Sequence, residues 1–267
     1  MITRILTALV IGPACIFLTL WLPSFWFGVV LAGILLIGLY EWGKLSKVSL
    51  LSGGLAAGLF LLYLIGVSYL GRSEILIYSC WLGGLFWVIQ LFNLKSRGLQ
   101  RQLAPLHNLF EGMLLLMICW SALIWLHLQS PNGPLSVICM MASVWSADSF
   151  AYFAGRSFGK HKLAPEISPG KTIEGVIGGL FGTLIVSTLL AFQVLDLSGK
   201  MAAFWVLASL LAAAFSVAGD LFESRLKRIA GVKDSGSILP GHGGILDRID
   251  GLIPAAPIFV LVWHWVA

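Results

Sequence analysis

The chain has 267 residues, of which 58% are hydrophobic and only 11% carry a formal charge. A soluble domain is about half apolar and about a quarter charged, so this composition excludes an ordinary soluble fold and indicates burial in lipid. The net charge of +5 could suit a nucleic acid, but the basic residues are dispersed between hydrophobic runs. We therefore expect no nucleic-acid partner.

Nine apolar segments follow one another along the chain. A membrane-spanning helix needs roughly 17–25 apolar residues, and only helices or closed barrels satisfy their backbone polar groups in lipid. The runs are too long and too uniform for barrel strands, whose residues alternate in polarity. The sequence therefore predicts an all-α polytopic membrane protein with about nine transmembrane helices. The predicted spans are 4–22, 24–41, 51–70, 75–93, 109–128, 134–154, 173–195, 201–219 and 249–266.

The basic residues are divided unequally between alternate connections. If the N-terminus is cytoplasmic, 15 of the 17 lysines and arginines fall on the cytoplasmic side, and only Arg72 and Lys200 fall outside. This asymmetry agrees with the positive-inside rule. It predicts a cytoplasmic N-terminus and an external C-terminus.

Two of the predicted cytoplasmic loops, 155–172 and 220–248, are long, whereas the external connections are short. We expect two parts: residues 1–133, with about five transmembrane helices, and residues 134–267, which carry both long loops. We expect no appended soluble domain, and we expect the function in the membrane or at its inner face.

The first long loop follows a carboxylate inside a predicted span. Asp148 lies about a turn and a half before the end of span six, and an ionisable group at that depth is costly unless it faces a partner or a polar cavity. The later SPGKT resembles the end of a phosphate-binding P-loop, but Pro165 stands where that motif needs glycine. Lys171 and Thr172 nevertheless precede span seven, and a helix N-terminus attracts anions.

The second long loop combines charge with glycine. Asp220, Glu223, Ser224 and Lys227 would share one face if span eight continues as a helix. The glycines of GHGG, residues 241–244, permit positive φ and close approach of the backbone to a ligand, and such a turn can present amides to a phosphate.

Carboxylates among basic residues indicate a hard divalent cation and a phosphate-bearing ligand. Asp247 and Asp250 are three residues apart and follow Asp220 in the same loop. Mg²⁺ usually binds through one or two carboxylates together with substrate phosphates and water. A zinc site is not expected, because His242 has no thiolates near it in the sequence. A nucleotide or a phospholipid is therefore the expected ligand.

Residues 224–250, SRLKRIAGVKDSGSILPGHGGILDRID, resemble the signature of the phosphatidate cytidylyltransferases, also called CDP-diacylglycerol synthases. That signature reads S-x-hydrophobic-K-R, four residues, K-D, a stretch of small residues, and H-G-G-x-x-D-R-x-D. The upstream DSFAYFAGRSFGKHKLAPEISPGKT is similar as well. One departure is Gly170, where the family more often carries lysine. Every fixed position of the signature is present: Ser224, Lys227, Arg228, Lys233, Asp234, His242, Gly243, Gly244, Asp247, Arg248 and Asp250.

The resemblance implies that CTP and phosphatidate react to give CDP-diacylglycerol and pyrophosphate with Mg²⁺, alone or with a second cation. It also implies a bacterial cytoplasmic (inner) membrane protein, a cytoplasm-facing site, contact with membrane lipid, and a homodimer. We expect Asp220 and Asp247 to bind the metal. The expected catalytic residues are Asp148, Asp220, Lys227, Asp247 and Asp250. The expected substrate-binding residues are Lys171, Thr172, Ser224, Arg228, Lys233, His242, Gly243, Gly244 and Arg248.

Two other functions share these residue types. A lipid or polyprenol kinase would use the same metal and phosphate groups and differ in which phosphorus is attacked. A transporter of a phosphorylated solute would also suit membrane carboxylates, but transporters usually show paired repeats and broken helices near the midplane, which the sequence does not show. The CDP-alcohol phosphotransferases fit less well, because their DG-x-x-AR signature is missing.

Overall fold

The computed structural model describes residues 2–71, 73–97, 104–130 and 132–267. Arg72 and Arg101, which the topology prediction used, lie outside these ranges. The helices are α1 (Ile2–Trp21), α2 (Ser24–Leu45), α3 (Leu50–Leu70), α4 (Ser73–Arg97), α5 (Pro105–Gln129), α6 (Gly133–Phe158), α7 (Ile173–Gln193), α8 (Gly199–Ala230), α9 (Leu246–Ile249) and α10 (Leu252–Trp263).

The helices confirm the all-α polytopic fold class. Within the described residues, seven helices, α2 to α8, are long and apolar enough to cross a membrane. The predicted ninth span, 249–266, needs correction, because α9 and α10 divide it and α10 has only 12 residues. At about 1.5 Å per residue, α10 is about 18 Å long, well short of the roughly 30 Å hydrocarbon layer.

Both predicted loops contain regular structure. Helix α8 has 32 residues and continues eleven residues beyond the predicted end of span eight at 219, as far as Ala230. In the first loop, β1 (Lys162–Ala164) and β2 (Ser168–Thr172) form a short antiparallel hairpin. The long helix and the hairpin together give the two loops fixed positions at one end of the bundle.

Helices from both predicted parts of the chain share one hydrophobic core. Helix α10 packs against α4, α5 and α8, and Trp205 of α8 makes edge-to-face contacts with Phe259 and Trp263 of α10. The division into residues 1–133 and 134–267 therefore remains a prediction. It does not separate two independent cores.

Small residues bring α6 and α7 close together. A Cβ added to Gly179 would lie 2.7 Å from the carbonyl oxygen of Ala147, and Gly178 and Gly182 are similarly close to Ala154 and Phe150. Glycine at such contacts lets helix backbones approach closely in membranes. The close pair α6–α7 forms one wall of the candidate site.

Candidate active site at one end of the bundle

A pocket of about 490 Å³ lies between α6, α7, α8 and strand β2. Its lining combines four ionisable residues with small and apolar side chains. The ionisable residues are Asp148, Arg156, Lys171 and Asp220. The small and apolar residues include Ala147, Ala151, Gly179, Leu180, Ala213 and Val217. A ligand with a charged head and an apolar body would match this division.

One ion pair joins the hairpin to α8 at the pocket wall. Lys171 Nζ lies 2.7 Å from Asp220 Oδ2, and the two side chains are 24% and 35% exposed. Ser224 Oγ, one turn along α8, donates a hydrogen bond to Asp220 Oδ1 at 3.1 Å. Asp148 is close enough to feel the charges of both Lys171 and Asp220. The structure thus brings four predicted site residues together from α6, β2 and α8.

The hairpin that presents Lys171 is fixed at both ends. Arg228 Nε donates to the carbonyl of Ile167 at 3.4 Å, and Glu174 accepts hydrogen bonds from the backbone amides of Lys160 and His161. Thr172 is buried, and its hydroxyl caps α7 by accepting from the amide of Gly175 at 3.1 Å. The structure therefore gives Thr172 a helix-capping contact, while its predicted contact with substrate remains a prediction.

A second charged group surrounds Lys227. Its ammonium forms an ion pair with Glu223 of the preceding turn and lies 2.7 Å from Asp247 Oδ1. Lys227 is 11% exposed, and Glu223 and Asp247 are 2% and 6% exposed. Because α8 continues past the predicted span, Asp220, Glu223, Ser224 and Lys227 do lie on successive turns of one helix. This continuation connects the two charged groups.

Asp247 is held by backbone amides as well as by Lys227. Its carboxylate accepts from the amide of Ser235 at 3.0 Å and from the amide of Gly244 at 2.8 Å. Burial alone would raise the pKa of Asp247, but the hydrogen bonds from Lys227 and Gly244 outweigh it and keep the pKa below its ordinary value. Asp247 is therefore an anion in a fixed orientation.

Two carboxylates occupy the space beside the glycines of the GHGG turn. Gly243 has φ +81°, and a Cβ there would approach the carboxylate of Asp247. A Cβ on Gly244 would collide with Ser235 and with a second carboxylate, that of Glu41. The glycines were expected to admit a ligand phosphate. The structure shows a different close approach, to two side chains of the protein, and their substrate contact remains a prediction.

The remaining predicted residues lie around these groups. Asp250 accepts from the amide of Gly251 at 2.7 Å and lies within range of the charges of Asp220, Lys171 and Lys227. Arg248 is exposed and donates to the carbonyl of His242 at 3.0 Å. The buried Nδ1 of His242 has no hydrogen-bond partner among the described residues. Lys233 is exposed and belongs to neither ion-pair group.

Glu41 of α2 is the residue of this site that sequence reasoning missed. It is 1% exposed and accepts hydrogen bonds from Ser235 Oγ and from the amides of Ile245 and Leu246. The one signal in the sequence was that the predicted span 24–41 ends on a carboxylate residue. Nothing in the pattern connected it to a loop about 200 residues away.

The donor chemistry fits Mg²⁺, although the geometry contains no complete metal cage. Among the described residues, no group of three or more His, Cys, Asp or Glu side chains is arranged to hold a metal ion. Mg²⁺ needs only one or two carboxylates when substrate phosphates and water complete its shell. Asp220 lines the pocket and contacts Lys171 and Ser224, whereas Asp247 contacts Lys227 and two amides.

The fold and the site define a helical membrane protein with a charge-lined pocket at one end of its bundle. The chain belongs to the cytidylyltransferase family, which it matches over residues 2–266. It is 35% identical over 269 residues to a phosphatidate cytidylyltransferase of Pseudomonas aeruginosa, covering 97% of this chain and 96% of that protein. The Haemophilus influenzae protein of the same name is 33% identical, with 98% of each chain covered. That of Brucella abortus is 36% identical, with 97% and 92% covered.

Proposed function

We propose that this protein transfers the cytidylyl group of CTP to phosphatidate and releases pyrophosphate. The observation that carries the proposal is a pocket between α6, α7 and α8 whose lining combines the charged residues Asp148, Lys171 and Asp220 with small and apolar side chains. A phospholipid has that same division between a charged head and an apolar body. The names of the relatives, which match nearly their full length, support the same reaction.

The chemistry needs placement more than it needs a strong base. A phosphate monoester has a second pKa near 6 and is largely a dianion at neutral pH. One of its oxygens forms a bond to the α-phosphorus of CTP, and the bond from that phosphorus to the bridging oxygen breaks as pyrophosphate leaves. The main barrier is the approach of two polyanions, so catalysis consists mostly of positioning and charge stabilisation.

The residues of the site suit this task. Lys171 and Lys227, each paired with carboxylates in this structure, would exchange those partners for substrate phosphates. Arg228, Lys233 and Arg248 would contact phosphates at the rim. The unpartnered Nδ1 of His242 would hydrogen-bond to a phosphate oxygen. Ser224 would keep Asp220 oriented, as it does here.

Asp220 and Asp247 would hold Mg²⁺, with Asp148 and Asp250 supporting them or a second cation. A bound divalent cation would neutralise charge on the CTP phosphates. Asp220 would have to give up its contact with Lys171, and Asp247 its contact with Lys227. When Lys227 turns toward a phosphate, it would leave Asp247 Oδ1 free for the cation.

The site would face the cytoplasm from a bacterial inner membrane. Its end of the bundle carries Arg156, Lys171, Lys227 and Arg228, and basic residues concentrate on the cytoplasmic side. There soluble CTP meets membrane lipid. The proposal also includes a homodimer, which the family resemblance implies.

The test uses purified protein in micelles containing phosphatidate, with CTP labelled at the α- or the γ-phosphorus. Lipid-linked label is expected from α-labelled CTP and Mg²⁺ only, and Asp220→Asn is expected to reduce it by about 100-fold or more. Asp196→Asn is the matched control, because Asp196 is an exposed aspartate on the connection between α7 and α8, away from the pocket. Transfer of the γ-label would instead establish a lipid kinase, and nucleotide binding without any transfer would favour the transporter.

A further inference from the structure

We infer that Glu41 is a positioning residue for the proposed reaction, holding the loop 235–246 in the shape that orients Asp247. The inference rests on the proposed function for its kinetic part. It assigns a role in the site to α2, a helix far from both loops in sequence.

Glu41 and Asp247 bind the same two arms of the loop from different sides. On one arm, Ser235 donates its amide to Asp247 at 3.0 Å and its hydroxyl to Glu41 at 3.2 Å. On the other arm, Gly244 donates its amide to Asp247 at 2.8 Å, and the next amide but one, that of Leu246, donates to Glu41 at 2.8 Å. The loop is therefore held between two carboxylates, and movement of one arm would shift the donors of Asp247.

Three of the loop glycines fit this arrangement. Side chains at Gly236 and Gly244 would overlap the Glu41 carboxylate, and one at Gly243 would overlap that of Asp247. Only residues without a Cβ leave both carboxylates room to reach the backbone. The glycine content of the loop is thus explained by the close approach of Glu41 and Asp247.

The position of Glu41 is itself fixed by the neighbouring core. Trp42 is 1% exposed, packs closely on Gly112 of α5, and lies 6.1 Å from the ring of Phe222 on α8. Phe222 also contacts Trp87 of α4. Since α8 carries Asp220 and Lys227, this packing ties the carboxylate that holds the loop to the helix that carries the rest of the site.

A neutral residue in place of Glu41 should not hold the loop, because the partners of Glu41 are all hydrogen-bond donors. A buried carboxylate is costly unless several donors compensate it, and here two amides and a hydroxyl do so. Glutamine has the same length but keeps one acceptor oxygen and directs an amide group toward N–H groups. Glu41→Gln therefore removes the hold on the loop while it leaves the volume almost unchanged.

The experiment combines kinetics with amide hydrogen exchange on the full-length wild-type protein, Glu41→Gln and Tyr63→Phe. Tyr63 bonds to Ser79 and Ser121 in α4 and α5, so its variant controls for loss of a buried polar contact elsewhere in the same half. For Glu41→Gln we expect kcat to fall about 100-fold, the effect of a small misplacement of a catalytic group, and the KM for phosphatidate to change less than about threefold. Exchange should rise in peptides covering 235–247 and stay unchanged in α6 and α7.

The inference would be overturned by wild-type exchange in the loop of Glu41→Gln, or by increased exchange spread evenly through all helices. A loss of kcat equal to that of Tyr63→Phe would also overturn it. If the wild-type protein transferred no cytidylyl group, the proposed function would fail, but local exchange in the loop would still report whether Glu41 holds it.

Discussion

Two buried polar clusters at opposite ends of α5 differ in charge and in what surrounds them. Near its C-terminal end, His127 contacts Ser24 Oγ at 2.9 Å and the carbonyl of Thr19 at 3.1 Å, and its ring stacks on Phe27. Near the other end, Glu41 accepts a hydrogen bond from Ser235 Oγ, and Lys227 forms an ion pair with Asp247. The first cluster consists of uncharged partners around one imidazole, and the second is built from full charges.

The difference separates a structural cluster from a functional one. The contacts of His127 connect α1, α2 and α5 within the protein and do not border the pocket. The charged cluster does not line the pocket either, but its Lys227 lies on α8 about two turns beyond Asp220, which does line it. Buried charged groups are expensive unless they are paired, and they concentrate at functional sites. The comparison therefore predicts that variants at one end change activity and variants at the other change stability alone.

The largest effect is expected at Lys227. Lys227→Met would leave Glu223 and Asp247 without their shared cation, and removing one partner of a buried ion pair typically costs about 3–5 kcal/mol. We expect cytidylyl transfer to fall below about one thousandth of wild type, because the variant also loses a phosphate contact. The free energy of unfolding can be followed in detergent by chemical denaturation.

Lys200→Met is the control for this variant. Lys200 lies in the first turn of the same helix, α8, at the end opposite to Lys227. Its ammonium lies over the ring of Phe204. Its loss should leave both stability and transfer near wild type. Equal effects of the two substitutions would mean that the charged cluster has no special role.

A smaller effect, confined to activity, is expected at Lys171. Lys171 and Asp220 are partly exposed to the pocket, so the ion pair contributes little stability in a screened environment. Lys171→Gln should lower kcat/KM about 100-fold with little change in thermal stability. Lys162→Gln, on the other strand of the same hairpin, is the matched control, and a melting temperature that falls only in Lys171→Gln would contradict a purely functional role.

The sequence predicted those parts of the molecule that depend on local patterns. All nine apolar segments correspond to helices, because hydrophobic length is a local property. The shared face of Asp220 and Lys227 also followed from helical spacing. The shortness of α10 was missed, because apolar residues continue past its end at Trp263 and give no compositional signal there.

The contacts of the site depend on tertiary packing and could not be predicted in the same way. Lys171 was identified by its position before span seven and Asp220 by helical spacing, but their pairing requires the hairpin to fold back over α8. Glu41 was invisible for the same reason, since its donors come from residues 235–246. Glycine, which the sequence associated with a ligand phosphate, lies beside protein carboxylates in the structure.

The smallest effect on activity is expected at the uncharged cluster, where Ser24→Ala removes one partner of His127. The hydrogen bond from a neutral hydroxyl to an imidazole contributes about 1 kcal/mol, so the unfolding free energy should fall by about that amount. Cytidylyl transfer, measured below the melting temperature, should stay within about twofold of wild type, because the variant leaves the charges around the pocket unchanged. A clear fall in kcat without loss of stability would show that the two ends of α5 are coupled, and the division between a structural and a functional cluster would then have to be abandoned.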